Sequence, residues 1–392
     1  MGEFRQFVAR SRGQRVGPFT MPQFIFLVTG LALAGIVFAT GLSVHGVIGS
    51  ATPTVMATPT AAPVAVVVTE TATPVATPTT VVRQPTATVS PSPSSTPTPV
   101  LPTPTPTIAY RTRFEERPLV VMIENHPDAR PQSGLSEADV VYEAVAEWGI
   151  TRFMAVFAND QATTVGPVRS ARHYFVRWAD EFNGLFAFAG ASPQGYAEMS
   201  GSDLWTIDYT YGEGNYWRSD HREAPHNLYA ETDDLRVSAR DAIQFPSQLG
   251  GLTFRNREMP GTPVSSLVLV YPLGYTVGYT YSPRNQTWTR EMEGYVHVDA
   301  NTGEPHRPTN VVVQIVETWQ IRGDTAGRMD MELTGSGTAY LFSAGKVIEG
   351  RWIKPRPAAY TQFVDDDGRV IDLLPGQTWI QILPDNGTLR YR

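Results

Sequence analysis

Apolar and polar positions follow three patterns along the chain. RPLVVMIEN, residues 117–125, is an apolar run closed by the turn-prone Asn125, His126, Pro127 and Asp128, and it predicts a buried strand. ARPQSGLSEADVVYEAVAEWGITRFMAVFAND follows and supports two readings. Ser136 with Asp139 could cap a helix. The β-branched runs DVVYEAV and TRFMAVF, joined at Trp148-Gly149, fit a hairpin, which is the reading favoured here. From Ser170 onward, Ala171, Tyr174, Phe175, Trp178 and Phe182 fall on one face at helical spacing, with His173, Arg177 and Asp180 on another. That predicts an amphipathic helix capped by Ser170. GLFAFAG returns as a strand, ASPQGYAEMSG begins a short helix, and residues 231–240 form a further one. Such alternation predicts an α/β layered domain over 115–258. Beyond Pro260, short β-branched or aromatic runs are separated by Gly, Pro, Asn and Asp, which predicts a smaller, mostly-β domain over 263–388. The fold class expected is therefore α+β.

The first part of the chain has a different character. From Phe24 to Val44 no charged residue occurs, a run long enough at ~1.5 Å per residue to cross roughly 30 Å of hydrocarbon. A transmembrane helix is expected over 23–45, behind a basic tail at 1–22 whose arginines stay in the cytoplasm. The rival is a cleaved signal peptide ending near Gly49 and Ala51. Residues 51–110 repeat a Thr-Pro theme, as in TATPVATPTT, and this predicts a disordered stalk of polyproline character. The expected arrangement is a single-pass cell-membrane protein with a cytoplasmic N-terminus, its folded domains extracytoplasmic.

Charge narrows the function classes. The net charge is -7, and the part beyond the basic tail is more acidic still, which argues against general nucleic-acid binding. Only Lys346 and Lys354 are lysines, so an anion site must be built from arginine. The absence of cysteine excludes disulfides, thiolate metal sites and a lipidated cysteine within this sequence. No metal motif or P-loop is present, and no cofactor is expected.

The candidate chemistry centres on TTVGPVRSARHYFV. Arg169, Ser170 and Arg172 sit where a loop is expected to become a helix, and unpaired N–H groups and guanidinium forks there suit carboxylate or phosphate. Asn125 closes the first strand, Arg130 and Gln132 follow it, Arg152 flanks the hairpin turn, and HREAPHNLY supplies His226 and Asn227. Loops at strand ends are where α/β domains usually hold ligands. The bland alternative pairs these arginines with acids such as Glu143, Glu147 or Asp180.

ARPQSGLSEADVVYE, ITRF, GPVRSAR, GAS, PHNLY, NVVVQ and GRWIK together resemble the YerB-like family of bacterial cell-envelope proteins, domain of unknown function 3048. The resemblance covers nearly all of 115–388. It implies an N-terminal domain and a smaller C-terminal one, and many members look like lipoproteins. This sequence departs from them in lacking cysteine. The family carries no established catalytic residues to transfer.

The function expected is binding of an anionic cell-envelope ligand, a wall polymer or an envelope protein, through Arg169, Arg172, Ser170 and the helix amides. Arg130, Gln132, Arg152, His226, Asn227 and Asn125 would line the site. Two other classes stay open: an envelope hydrolase or transferase using Ser170 and His226, and a scaffold whose arginines form internal ion pairs. The sequence names no reaction and no oligomeric state.

Overall fold

The computed structural model describes residues 113–392 apart from residue 243, together with the short pairs 15–16 and 19–20. The chain divides into units Met1–Thr98 and Pro99–Arg392. In the first, the described residues form a ladder pairing Arg15 with Thr20 and Val16 with Phe19. The expected membrane helix at 23–45 and stalk at 51–110 lie outside the described residues, as does the rest of the tail. Among the described residues no helix is long and apolar enough to cross a membrane.

In the second unit β1 (Leu119–Glu124), β2 (Val140–Glu147) and β3 (Ile150–Phe157) are followed by α1 (His173–Glu181), β4 (Leu185–Phe188), α2 (Pro193–Ser200), β5 (Trp205–Asp208) and α3 (Thr232–Ser238). Next come β6 (Thr262–Pro263), β7 (Ser266–Val270), β8 (Thr276–Ser282), β9 (Thr287–Met292) and β10 (Tyr295–Val296). The chain finishes with β11 (Asn310–Val316), β12 (Gly335–Ser343), β13 (Lys346–Lys354), β14 (Gln362–Val364), β15 (Thr378–Pro384) and β16 (Thr388–Tyr391). β2 and β3 form the expected hairpin, with Trp148 at φ 53° and Gly149 at φ 78° in the turn. Two successive positive φ values are what a tight hairpin turn of matching twist requires.

One sheet of eleven strands runs β6-β13-β12-β11-β15-β2-β3-β1-β4-β5, with β14 beside β13. Its seam is the parallel pairing of β15 with β2, which sets Thr378 against Val140 and Gln381 against Glu143. Strands from both sides of Pro260 are thus neighbours in a single ladder. A second sheet, β10-β9-β8-β7-β16, lies over part of the first, and Leu267, Leu269, Val277 and Trp288 pack there against Val311, Val313 and Phe342.

The expected α/β layered domain is therefore corrected to a mostly-β fold, with strand at 44% and helix at 12% of the described residues. The predicted segments have the right type, and β1, β4 and β5 do pair parallel, with α2 crossing between β4 and β5, but the parallel part stops at β1. β1, β2 and β3 pair antiparallel, and C-terminal strands extend the same sheet across the seam. The three α-helices among the described residues are of nine, eight and seven residues, too short to cover so broad a sheet.

β1 shows why its sequence is a near-continuous apolar run. Val120 and Met122 pack with Tyr174, Phe175 and Trp178 of α1, whereas Leu119, Val121 and Ile123 pack with Leu235 of α3 and with Phe153. Successive side chains point to opposite faces, so a strand covered on both faces has no polar side to show.

Candidate functional site

The site begins where β1 ends. Glu124 closes the strand, and its carboxylate is 5% exposed. A charge at that depth demands partners, and it has two: Arg169 Nε donates to Oε1 at 2.7 Å, and His226 Nδ1 lies 3.0 Å from Oε2. These partners arrive through backbone bonds. Glu124 N donates to Pro167 O at 2.9 Å and Val168 N to Leu228 O at 2.6 Å, so the segment 165–168 bridges β1 to the short strand Leu228–Ala230. Gly166 makes this approach possible at φ 146°, where a Cβ would meet Leu228 O at 2.8 Å.

The same extended path corrects the expected cap. Arg169 N donates to Met122 O and Ala171 N to Gly190 O, which holds the chain straight through residue 171. The helix starts only at His173, with Arg172 as its N-cap and no side-chain capping bond. Ser170 lies before the helix. Its Oγ accepts from Arg172 Nη1 at 3.2 Å, and its carbonyl accepts from Arg152 Nη1 at 2.6 Å.

Arg152 stands opposite Glu124 in the β1–β3 ladder and so on the same face. Arg152 Nη2 and Arg172 Nη2 both donate to Glu147 Oε1 at 2.8 Å, and Arg172 Nε reaches Oε2 at 3.1 Å. Burial pushes the Glu147 carboxyl up, but the two guanidiniums together outweigh this and hold it below the ordinary 4.5. Burial and then Arg152 lower Arg172 to about 10, so it stays charged near neutrality. Three guanidiniums thus face the carboxylates of Glu124 and Glu147, with the exposed Asp128 at the edge beside His226.

Asn125 points to the opposite face, into a buried polar network between the two sheets. Asn125 Nδ2 donates to Thr151 Oγ1 at 2.7 Å and to the Tyr275 hydroxyl at 3.0 Å. Thr151 and Tyr275 donate to Glu143 Oε1 at 2.7 and 2.8 Å. Glu143 Oε2 accepts from Arg290 Nη2 at 2.5 Å, a pair with neither side chain exposed. Arg290 Nη1 bonds His297 Nδ1 at 2.9 Å, and His297 Nε2 bonds Gln132 Oε1 at 2.8 Å. Arg130 contributes its Nε to Asn125 Oδ1 at 3.1 Å and pairs with Glu293 at the surface.

The expected residues therefore separate into two groups. Arg169, Ser170, Arg172, Arg152 and His226 gather on one face, while Asn125, Gln132 and Arg130 belong to the other. Asn227 joins neither: its Nδ2 donates to Ser219 O and Arg222 O and its Oδ1 accepts from Arg218, which holds its own loop. Among the described residues no hydrogen bond links Ser170 to His226, the pairing that a nucleophilic reading requires. Of the anticipated ion-pair acids, Glu147 takes two arginines and Glu143 takes Arg290. Glu124 was not anticipated, although a carboxylate ending an otherwise apolar strand was a visible signal. His297 and His306 gave no such signal, because lone histidines in β runs carry no periodicity of their own.

Two family models match the chain: the N-terminal domain of the protein of unknown function DUF3048 over residues 104–244 and its C-terminal domain over residues 267–380. Among curated proteins, "Putative lipoprotein YerB" of Bacillus subtilis (strain 168) is 35% identical over 277 residues, which is 69% of this chain and 82% of that protein. The crystal structure of YerB protein from Bacillus subtilis superposes with a TM-score of 0.62 at 34% identity, covering 70% of this chain and 94% of that one.

Proposed function

This chain belongs to the DUF3048 family, and from that premise we propose that it is an envelope-associated, extracytoplasmic protein that binds an anionic ligand through Arg169. The relative named as a lipoprotein supports the location. The observation that carries the binding is the state of Arg169. Among the described residues its side-chain hydrogen bonding is confined to Nε, bound by Glu124, while the side chain is 29% exposed and both terminal nitrogens remain available. A guanidinium oriented through one edge presents its other edge as a fork that suits carboxylate or phosphate. Arg152 and Arg172, bound to Glu147, form the positive floor behind it, and Ser170, partly exposed, stands between them. Arg130, Gln132, Asn125 and Asn227 have structural partners and take no part in this reading, and His226 orients Glu124. Anionic wall glycopolymers and peptidoglycan fragments have the ligand chemistry required.

Sedimentation of the full-length chain with purified cell-wall sacculi, before and after chemical removal of their anionic polymers, tests the proposal. Wild type is expected to co-sediment in a salt-sensitive manner, and Arg169→Ala to lose most of that binding while Arg284→Ala, on the Ser282–Thr287 turn, retains it. Equal binding by Arg169→Ala and wild type would overturn the reading. The scaffold alternative is favoured by the paired state of Arg152 and Arg172, and it predicts that outcome together with unchanged wall association.

A further inference from the structure

Beside Glu124 lies a group of side chains that the anion reading leaves without a ligand, sharing with it only His226, which orients Glu124. We infer that His126, Asp128 and His226 form a binding site for a divalent first-row metal ion, with zinc as the reference case. The inference stands apart from the proposal above, since different side chains supply the donors.

The tertiary fold assembles this group from two separated loops. His126 caps the single turn Pro127–Ala129, which places Asp128 over its ring: His126 Nδ1 is 3.4 Å from Asp128 Oδ2. The bridge formed by segment 165–168 brings in His226, whose ring stacks on that of His126 at 4.5 Å between centroids and 20° between planes. His226 Nε2 lies 4.0 Å from Asp128 Oδ2. One donor atom from each of the three residues falls within 4.8 Å of the others. A tetrahedral ion with ligands at about 2.0–2.1 Å needs donors about 3.3–3.4 Å apart. Of the three edges, His126–Asp128 already has that length; His226–Asp128 and the edge between the two histidines, within 4.8 Å, close as the exposed Asp128 and the half-buried His126 ring turn out of the stack toward the ion.

Glu124 supplies a second, independent indication. Its buried carboxylate accepts at Oε2 from His226 Nδ1 and at Oε1 from Arg169. With the proton on Nδ1, the lone pair of His226 is on Nε2, the nitrogen that faces Asp128. Metal-ligating histidines are oriented in this way by a carboxylate on the far nitrogen, which fixes the tautomer and strengthens the donor. His126 has only a long bond to give up, the 3.3 Å contact from Asp128 N to its Nδ1. Two imidazoles and one carboxylate suit zinc and its neighbours more than calcium or magnesium, which take oxygen ligands. Three protein donors leave one coordination position for water or an anionic ligand.

Titration calorimetry of the full-length chain with ZnCl2, supported by visible absorption with Co2+ as the spectroscopic probe, tests the site. One equivalent is expected to bind wild type and His221→Ala alike, and His126→Ala and His226→Ala are each expected to weaken binding about tenfold or more. Glu124→Gln is expected to weaken it about 10- to 100-fold through loss of orientation. If the histidine variants lose their folded circular dichroism, Asp128→Asn decides, because that exposed change disturbs no packing. Absence of zinc binding by wild type, or unchanged stoichiometry and affinity in folded His126→Ala, His226→Ala or Asp128→Asn, would overturn the inference. Zinc binding is expected to persist in Arg169→Ala, so failure of either proposal leaves the other standing.

Discussion

Mild acid is expected to destabilise this protein through two histidines. His297 and His306 are 3% and 1% exposed, with ring centroids 4.4 Å apart. Both nitrogens of His297 are committed as a neutral ring: Nδ1 accepts from Arg290 Nη1, and Nε2 donates to Gln132 Oε1. A second proton would set an N–H against a guanidinium. Burial first, then His306 and Arg290, push His297 well below the ordinary 6.5. Burial and then Arg290 lower His306 from 6.5 to about 3. In the unfolded chain both rings titrate near their ordinary value, so below it the unfolded state binds more protons than the folded one. The stability contributed is fully present above about pH 6.5 and is lost as pH falls toward the depressed folded values. At about pH 5 His306 alone withdraws about 2 kcal/mol, and His297 acts in the same direction, against the roughly 5–15 kcal/mol typical of a domain. Urea unfolding of the full-length chain at several pH values between about 8 and 5 measures the slope, expected near 1.4 kcal/mol per pH unit for each ring well below its ordinary value. His306→Gln should remove the His306 share, about 1.4 kcal/mol per pH unit, whatever it does to the stability at the alkaline end. A slope unchanged in His306→Gln would refute the reasoning, since the protonation would then lie elsewhere.

The same network predicts the effect of breaking its ion pair. Glu143→Leu leaves Arg290 charged and buried, and is expected to cost about 3–5 kcal/mol in urea unfolding; a loss below about 1 kcal/mol would mean that water reaches Arg290. Gly166→Ala adds a Cβ 2.8 Å from Leu228 O at φ 146°. It is expected to lower the unfolding midpoint by more than about 1 kcal/mol equivalent and to weaken attachment of the 165–168 segment, read as faster amide exchange at Val168. Protection equal to wild type at Val168 would count against the close approach described above.

Local elements were readable because each rests on a short-range rule. The β1 run, the β2–β3 hairpin, the β4 strand and the α2 and α3 helices each occupy the segment that periodicity assigned to them. Ser192 caps α2 by accepting from Gly195 N at 3.0 Å. Ser170 was placed by the same rule but does not cap, because backbone bonds to Met122 and Gly190 keep its neighbours extended. The outer site was partly legible: arginines in GPVRSAR do gather with Arg152 and His226. Which guanidinium keeps free donors was not, since that depends on where Glu124 and Glu147 arrive in space.

The sequence by itself determined the family, the absence of thiol chemistry and the segments able to become strands or helices, all of which follow from residue types and near-neighbour spacing. Tertiary structure alone decided that strands on both sides of Pro260 share one sheet and that Arg290 neutralises Glu143, a residue 147 positions away. It also decided that His126 stacks on His226, 100 positions further along. The physical reason is that pairing of strands and charges depends on which distant surfaces can be desolvated together. That is a property of the packed chain, and no local pattern encodes it.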